Sequence, residues 1–119
     1  MNVNRGDVVL VSVVFSSGRG QKVRPVLVVQ SYHNNVRLAD TIVAIITSNV
    51  RRASVEPTQL LIAVATPEGA QSGLLHSSAV TCERLHTILQ ADIQRRIGSL
   101  PASTMQRIGD CLRVSLSLI

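Results

Sequence analysis

The chain has 119 residues, enough for one domain covering 1–119 and too few for a second. Hydrophobic residues make up 45% and charged residues 16%, and no apolar run reaches the ~18–20 residues of a membrane-spanning helix. The start, MNVNRGD, lacks the apolar region of a signal peptide. We therefore expect a soluble globular protein in the cytoplasm.

The charge is positive and concentrated in the first half of the chain. The net charge is +5, and residues 1–60 hold seven cations against three anions. Eleven of the twelve cations are arginine, whose planar fork fits phosphate oxygens. Phe15 and Tyr32 are the only aromatic residues, which argues against a surface that stacks successive bases on aromatic rings. Phosphate is therefore the first ligand to consider.

The first half of the sequence predicts three strands. Residues 7–15, 25–30 and 41–47 are rich in β-branched residues. Pro25 fits the first position of a strand and holds Arg24 extended. Residues 16–22, SSGRGQK, contain two glycines and no apolar side chain, which predicts an exposed hairpin loop.

The second half predicts further strands and then helices. Residues 59–64 predict a fourth strand, 66–73 a turn-rich segment, and 78–81 and 85–89 two shorter strands. The spacing of Ile93 and Ile97 predicts a short helix capped by Asp92 and ended by Gly98. A second helix begins near Pro101 and Ser103, and its apolar residues recur at three- and four-residue steps: Met105, Ile108, Leu112 and Leu116. The expected fold is mainly β, a bent sheet or partial barrel with a C-terminal helix.

The cysteines and histidines do not form a metal-binding pattern. Cys82 and Cys111 are far apart and form no CxxC motif, so we interpret them as reduced thiols. His76 and His86 lie in strand-like segments without an acidic cluster nearby. We expect no metal and no cofactor.

Several separated segments resemble the MazF/PemK-type toxins of bacterial type II toxin–antitoxin systems. They cover nearly the whole chain in order: RGDVVLV (5–11), a glycine-rich loop before RPVLVVQ (24–30), ITSN (46–49), SGLLHSSAV (72–80), CERLHTI (82–88) and RRIGSL (95–100). The resemblance implies an SH3-like small barrel of the MazF/PemK/CcdB type, a homodimer, and a cognate antitoxin protein that occludes the active site.

It also implies an activity, namely metal-independent endoribonuclease cleavage of single-stranded RNA, commonly mRNA, at short sequences. In that reaction the ribose 2′-OH attacks the adjacent phosphorus and leaves a 2′,3′-cyclic phosphate. Such chemistry needs a proton acceptor, a proton donor and positive charge near the phosphoryl oxygens.

The resemblance assigns catalytic roles to two residues. Arg24 matches the catalytic arginine of the family, and its permanent charge suits electrostatic stabilisation of the transition state. Thr47 matches the active-site threonine, whose hydroxyl would bind a phosphate oxygen or position Arg24. Without the resemblance, Arg24 would be interpreted as a structural or solvated charge and Thr47 as an ordinary strand residue.

The proton acceptor is left open by the sequence. Many relatives carry a glutamate in the first loop, whereas SSGRGQK has no acidic residue and offers only Gln21. His33, just past the second strand, has a pKa suited to acid–base work near neutrality. An exposed loop histidine is more often inert.

A further group of residues is predicted to bind RNA phosphates. They lie next to the strand ends that carry Arg24 and Thr47: Arg19, Lys22, Ser48, Arg51 and Arg52. Taken singly, each cation also fits an ordinary solubilising surface charge, and Ser48 a simple turn residue.

Two alternatives of other classes stay open. CcdB-type toxins share the expected fold but poison DNA gyrase through protein contacts, which would not need Arg24 and Thr47. The missing loop carboxylate also allows a catalytically weakened toxin that acts mainly through antitoxin binding.

Overall fold

The computed structural model describes residues 2–13 and 22–119, and in them six strands form one antiparallel sheet in the order β4-β5-β3-β2-β1-β6. The strands are β1 (Asp7–Val13), β2 (Lys22–Val28), β3 (Asp40–Thr47), β4 (Gln59–Ile62), β5 (Ser78–Leu89) and β6 (Ile93–Ser99). The helices are α1 (Tyr32–Arg37), α2 (Pro67–Ser72) and α3 (Ala102–Leu116), and a 3-10 turn covers Gln90–Asp92. The predicted mainly β fold with a C-terminal helix is confirmed.

The central strands bury both of their faces. Val8 and Leu27, paired across β1 and β2, belong to a larger core that also contacts α3. The next pair, Val9 and Val26, belongs to a smaller core on the opposite face. Because alternate side chains point to opposite faces, a strand buried on both sides has an almost unbroken apolar sequence. This explains the runs that predicted β1, β2 and β3.

The C-terminal helix packs where its periodicity predicted. Thr104, Ile108 and Cys111 form its buried face. Cys111 and Cys82 of β5 are free thiols in the larger core. Burial, together with the neighbouring Cys111 and Glu83, raises the pKa of Cys82 to about 12. Both thiols are therefore packing groups rather than nucleophiles. None of the helices in the described residues is long and apolar enough to span a membrane.

The predicted helix at 93–97 is wrong, because this segment is strand β6. A spacing of four residues fits a strand as well as a helix, since four is a multiple of the strand period. Two register shifts against β1 then place Ile93 in the smaller core and Ile97 against the larger one. Pairing with β1 therefore overrides the apparent helical period.

Two other segments predicted as loop or turn are short helices. The hydroxyl of Ser31 accepts the N–H of Asn34 at the start of α1, and that of Thr66 accepts the N–H of Gly69 at the start of α2. Helices of six residues are too short to show an apolar period, although their caps are visible in the sequence. His33 therefore lies on a helix rather than in a loop.

The strand predictions also needed two corrections. Pro25 is the fourth residue of β2, not the first, and pairing with β3 begins only at Val26. The two short strands predicted at 78–81 and 85–89 are one strand, β5, interrupted by a bulge. Both irregularities occur beside the site described next.

Candidate functional site

The candidate site lies at the end of the sheet where β2 begins and β3 ends. Val26 is paired with Ile45, and no further pair between these strands follows in the described residues. Pro25 has no N–H to continue the ladder. Extending the same register by two residues would place the exposed Arg24 opposite the half-buried Thr47. Both residues would then project from the same face of the sheet.

Arg24 borders an open cavity of about 480 Å³, the Arg24 cavity. Its floor is aliphatic, formed in part by Leu10, Ile46 and Ile97. The polar and charged residues around it are Lys22, Arg24, Ser48, His76, Ser78 and Arg95. No carboxylate is among the described residues that line it. Three cations with no counter-ion in the described part of the lining favour the binding of an anion.

His76 enters this cavity through the turn that follows α2. Gly73 ends the helix with φ of 74°, and a Cβ there would lie 2.1 Å from the carbonyl oxygen of Ile97. Glycine is thus required both for the left-handed conformation and for the close approach to β6. The chain then turns past Leu75, and the carbonyl of His76 accepts the hydroxyl of Ser78 at 2.8 Å. His76 is exposed and is one of the residues that line the cavity that Arg24 also borders.

Thr47 lines a second, smaller cavity of about 260 Å³, the Thr47 cavity. Its lining is Thr47, Asn49, Arg52, Glu56, Gln59, Thr81, Glu83 and Arg84. Oγ1 of Thr47 accepts the N–H of Asn49 at 3.1 Å, and Oδ1 of Asn49 accepts the N–H of Arg51 at 3.2 Å. The hydroxyl proton of Thr47 remains available to donate to a phosphate oxygen.

A bulge in β5 brings Glu83 into the Thr47 cavity. Ala44 pairs with Leu85 but the next residue, Ile45, pairs with Thr81, so the residues between them leave the β3 ladder. The hydroxyl of Thr81 compensates by donating to the carbonyl of Ile45 at 2.7 Å. Bulges of this kind re-aim side chains beside functional sites.

The Glu83 carboxylate is held by Gln59, the first residue of β4, and by Thr58 just before it. Thr58 donates to Oε1 at 3.0 Å, and the Gln59 amide donates to Oε2 at 2.8 Å. Burial raises the pKa of Glu83, but the hydrogen bonds from Gln59, its own N–H and Thr58, with the charge of Arg84, outweigh burial and leave the pKa below its usual value. An ionised carboxylate with both oxygens engaged is a poor general base.

The two cavities are neighbours. Thr47 lines one and Ser48, the next residue, lines the other, so the end of β3 separates them. An extended chain crossing the end of β3 would contact both cavities at once.

The residues predicted from the sequence fall into three groups. Lys22 and Ser48 line the cavity of Arg24, and Arg52 lines that of Thr47. Arg51 is exposed and lines neither. Arg19 and Gln21 lie outside the described residues.

His33 is not brought to Arg24. It follows the end of β2 opposite to the one that carries Arg24, and the strand between Arg24 and Val28 alone spans ~13 Å. Neighbouring Asn35 bonds to Gln30 and Thr41 at that far end.

Sequence reasoning missed several residues of the site. His76 and Arg95 share the cavity of Arg24, and Gln59, Glu83 and Arg84 share that of Thr47. They come from four different segments, which only the sheet pairing and the β5 bulge bring together. In the described residues, no group of three or more His, Cys, Asp or Glu side chains is arranged to hold a metal ion.

Comparison with known proteins identifies the family of this chain. Residues 4–116 match the family described as PemK-like, MazF-like toxin of type II toxin–antitoxin system. The chain is 36% identical over 104 residues to endoribonuclease MazF6 of Mycobacterium tuberculosis, covering 87% of this chain and 86% of that protein. It is 33% identical over 121 residues to endoribonuclease EndoA of Bacillus subtilis, covering 100% and 98%.

Solved structures agree with the sequence relatives. The Mycobacterium tuberculosis toxin MazF-mt6 superposes with a TM-score of 0.75 at 26% identity, covering 95% of this chain and 98% of that one. An endoribonuclease from a mycobacterial species has the same fold, with a TM-score of 0.77 at 19% identity over 99% and 94% of the two chains. The chain therefore belongs to the PemK-like, MazF-like toxin family of type II toxin–antitoxin systems.

Proposed function

We propose that this protein is the toxin of a type II toxin–antitoxin pair and acts as an endoribonuclease on single-stranded RNA, mRNA included. The observation that carries the proposal is the Arg24 cavity, whose described lining residues include three cations and no carboxylate, at the strand end beside Thr47. The two relatives that are 36% and 33% identical to this chain are named endoribonucleases.

The proposed reaction is a transesterification. The ribose 2′-oxygen bonds to phosphorus, the bond from phosphorus to the 5′-oxygen breaks, and a 2′,3′-cyclic phosphate and a free 5′-hydroxyl result. The guanidinium of Arg24 stabilises the negative charge that accumulates on the phosphoryl oxygens. The hydroxyl of Thr47, which already accepts the N–H of Asn49, donates to one of these oxygens. No step needs a metal or cofactor.

Two protons must also move, one from the 2′-OH and one to the 5′-oxygen. His76 lines the cavity that Arg24 borders, which supports a role in proton transfer, whereas His33 lies at the other end of the sheet. Lys22, Arg95 and Ser48 bind phosphates on one side of β3 and Arg52 on the other. We assign the acid–base role to His76 rather than to His33 or Gln21.

The wider assignments follow from family membership. We propose one toxin domain over residues 1–119, a homodimer, a cytoplasmic location and an antitoxin partner that covers the site. One structural neighbour was solved as an endoribonuclease in complex with its cognate antitoxin.

The test uses purified protein and a long RNA in the presence of EDTA. Mapping of the new 5′ ends should show cuts at one recurrent short sequence, and the 3′ ends should carry cyclic phosphate. Arg24→Ala protein, run in parallel, should leave the RNA intact. Intact RNA with folded wild-type protein contradicts the proposal. Growth arrest that persists in Arg24→Ala and is relieved by a gyrase mutation would identify the CcdB-like alternative instead.

A further inference from the structure

An unsatisfied polar atom belongs to one of the residues that line the Thr47 cavity. Gln59 donates its Nε2 to Glu83, but its Oε1 is buried and has no hydrogen-bond partner among the described residues. A buried acceptor without a partner costs ~1–3 kcal/mol. In a native protein such an atom calls for an explanation, and a ligand donor is one.

The orientation of the Gln59 amide is fixed by its neighbour. A carboxylate can only accept hydrogen bonds, so the amide must turn its NH₂ group towards Oε2 of Glu83. The lowered pKa of Glu83 keeps that carboxylate ionised near neutrality. Thr58 holds the other carboxylate oxygen, so the Glu83 side chain cannot turn away without losing a second bond. Oε1 of Gln59 therefore cannot bond to Glu83 and can accept a hydrogen bond only from another donor.

The rest of the cavity suits one nucleobase. Its volume of about 260 Å³ lies below the range typical for drug-sized ligands, which favours a small ligand such as one base. Arg52 and Arg84 supply guanidinium planes, on which single-stranded RNA bases stack when aromatic side chains are lacking. Thr47 connects this cavity to the phosphate bound in the proposed reaction.

We propose that the Thr47 cavity holds one base beside the cleaved bond and that Gln59 Oε1 accepts a hydrogen bond from an exocyclic amino group of that base. The selected base is adenine, cytosine or guanine. Uracil is disfavoured because it has no exocyclic amino group, and its N3–H lies between two carbonyl acceptors in a cavity that also contains the carboxylates of Glu83 and Glu56. Gln59 is thus a specificity-determining residue and Glu83 the residue that positions it. This proposal rests on the proposed RNA cleavage.

The experiment maps 5′ ends on an RNA pool randomised around a cut site, with wild-type, Gln59→Leu and Gln94→Leu proteins. Gln94 is exposed on β6 and serves as a matched control. Wild type and Gln94→Leu should discriminate against uracil at one position next to the cut. Gln59→Leu should lose ~10-fold of that discrimination, equivalent to ~1.4 kcal/mol, while the other positions keep their preferences.

A second variant tests base recognition without a large change in stability. Glu83→Gln keeps the shape of the side chain but allows the Gln59 amide to rotate. The RNA position that excludes uracil in wild type should then accept uracil, while the melting temperature changes little. Wild-type protein that accepts uracil at every position next to the cut overturns the proposal, as does an unchanged preference in Gln59→Leu. Wild-type protein that cuts no RNA at all instead refutes the proposed function.

Discussion

The two cavities at the end of β3 differ in how their charges are balanced. The Arg24 cavity gathers Lys22, Arg24 and Arg95 with no carboxylate among its described lining. The Thr47 cavity has two arginines and two glutamates, and Glu83 is held by neutral donors on both oxygens. Unbalanced cations attract an anion of any sequence, whereas a balanced and oriented set of polar groups discriminates between ligands. The comparison assigns phosphate chemistry to the first cavity and base recognition to the second.

The largest expected effect comes from the unbalanced cavity. Arg24→Ala should lower the cleavage rate by at least ~10²–10³-fold, the usual loss when a preorganised group that stabilises transition-state charge is removed. Arg24→Lys should recover little, because an ammonium does not reproduce the planar fork. Arg37→Ala, at the far end of the sheet on α1, should keep the wild-type rate.

The melting temperature of the Arg24 variants shows whether Arg24 has a catalytic or a structural role. Arg24 is exposed, so its removal should leave the melting temperature nearly unchanged. A large fall in melting temperature would identify Arg24 as a structural residue. A wild-type rate in Arg24→Ala would remove the Arg24 cavity from the reaction.

The next effect concerns proton transfer. His76→Asn should lower the rate by ~10²-fold and abolish one limb of the pH–rate profile, because asparagine cannot replace an imidazole as the group that accepts and donates protons. His33→Asn removes the same side chain at the opposite end of the sheet and should change neither. Rates should be measured from pH 5 to 9 with saturating RNA. An unaltered profile in His76→Asn would exclude His76 from the acid–base role.

The contrast between the cavities also marks where sequence reasoning succeeds. Arg24 and Thr47 were predicted because each lies at one end of a strongly apolar segment, within a motif that resembles the family. Gln59 and Glu83 were not predicted, since they are 24 residues apart and meet only through the β4–β5 pairing and the β5 bulge. The same distinction applies to the fold. The long periodic helix α3 was predicted from local pattern, but β6 depends on pairing with β1, which no local pattern encodes.

A smaller effect should appear in the salt dependence of RNA binding. Each phosphate contact to single-stranded RNA contributes ~0.7 log units of affinity per log unit of salt. Lys22→Gln and Arg95→Gln should each lower this slope by about that amount in the cleavage-inactive Arg24→Ala background. Arg37→Gln should leave the slope unchanged. Equal slopes in all four proteins would show that the cations of the Arg24 cavity do not bind the RNA backbone.

The smallest effect belongs to the balanced cavity and is measured on stability rather than activity. The pKa of Glu83 is lower in the folded protein than its ordinary value of 4.5. Ionised Glu83 therefore adds to the free energy of unfolding in full above pH 4.5, and this stabilisation is lost as the pH falls through the folded-state pKa. Solvent screening keeps this contribution well below ~1 kcal/mol. Wild type should therefore lose slightly more stability than Glu83→Gln between pH 6 and 3.

Urea unfolding curves across this pH range would measure the difference, with Asp92→Asn on the exposed 3-10 turn as the control. If the free energies of unfolding of wild type and Glu83→Gln change equally with pH, the Glu83 carboxylate is not held by hydrogen bonds in the folded state. In that case Gln59 would lose its fixed orientation, and the Thr47 cavity could no longer be distinguished from the Arg24 cavity as the one that reads a base.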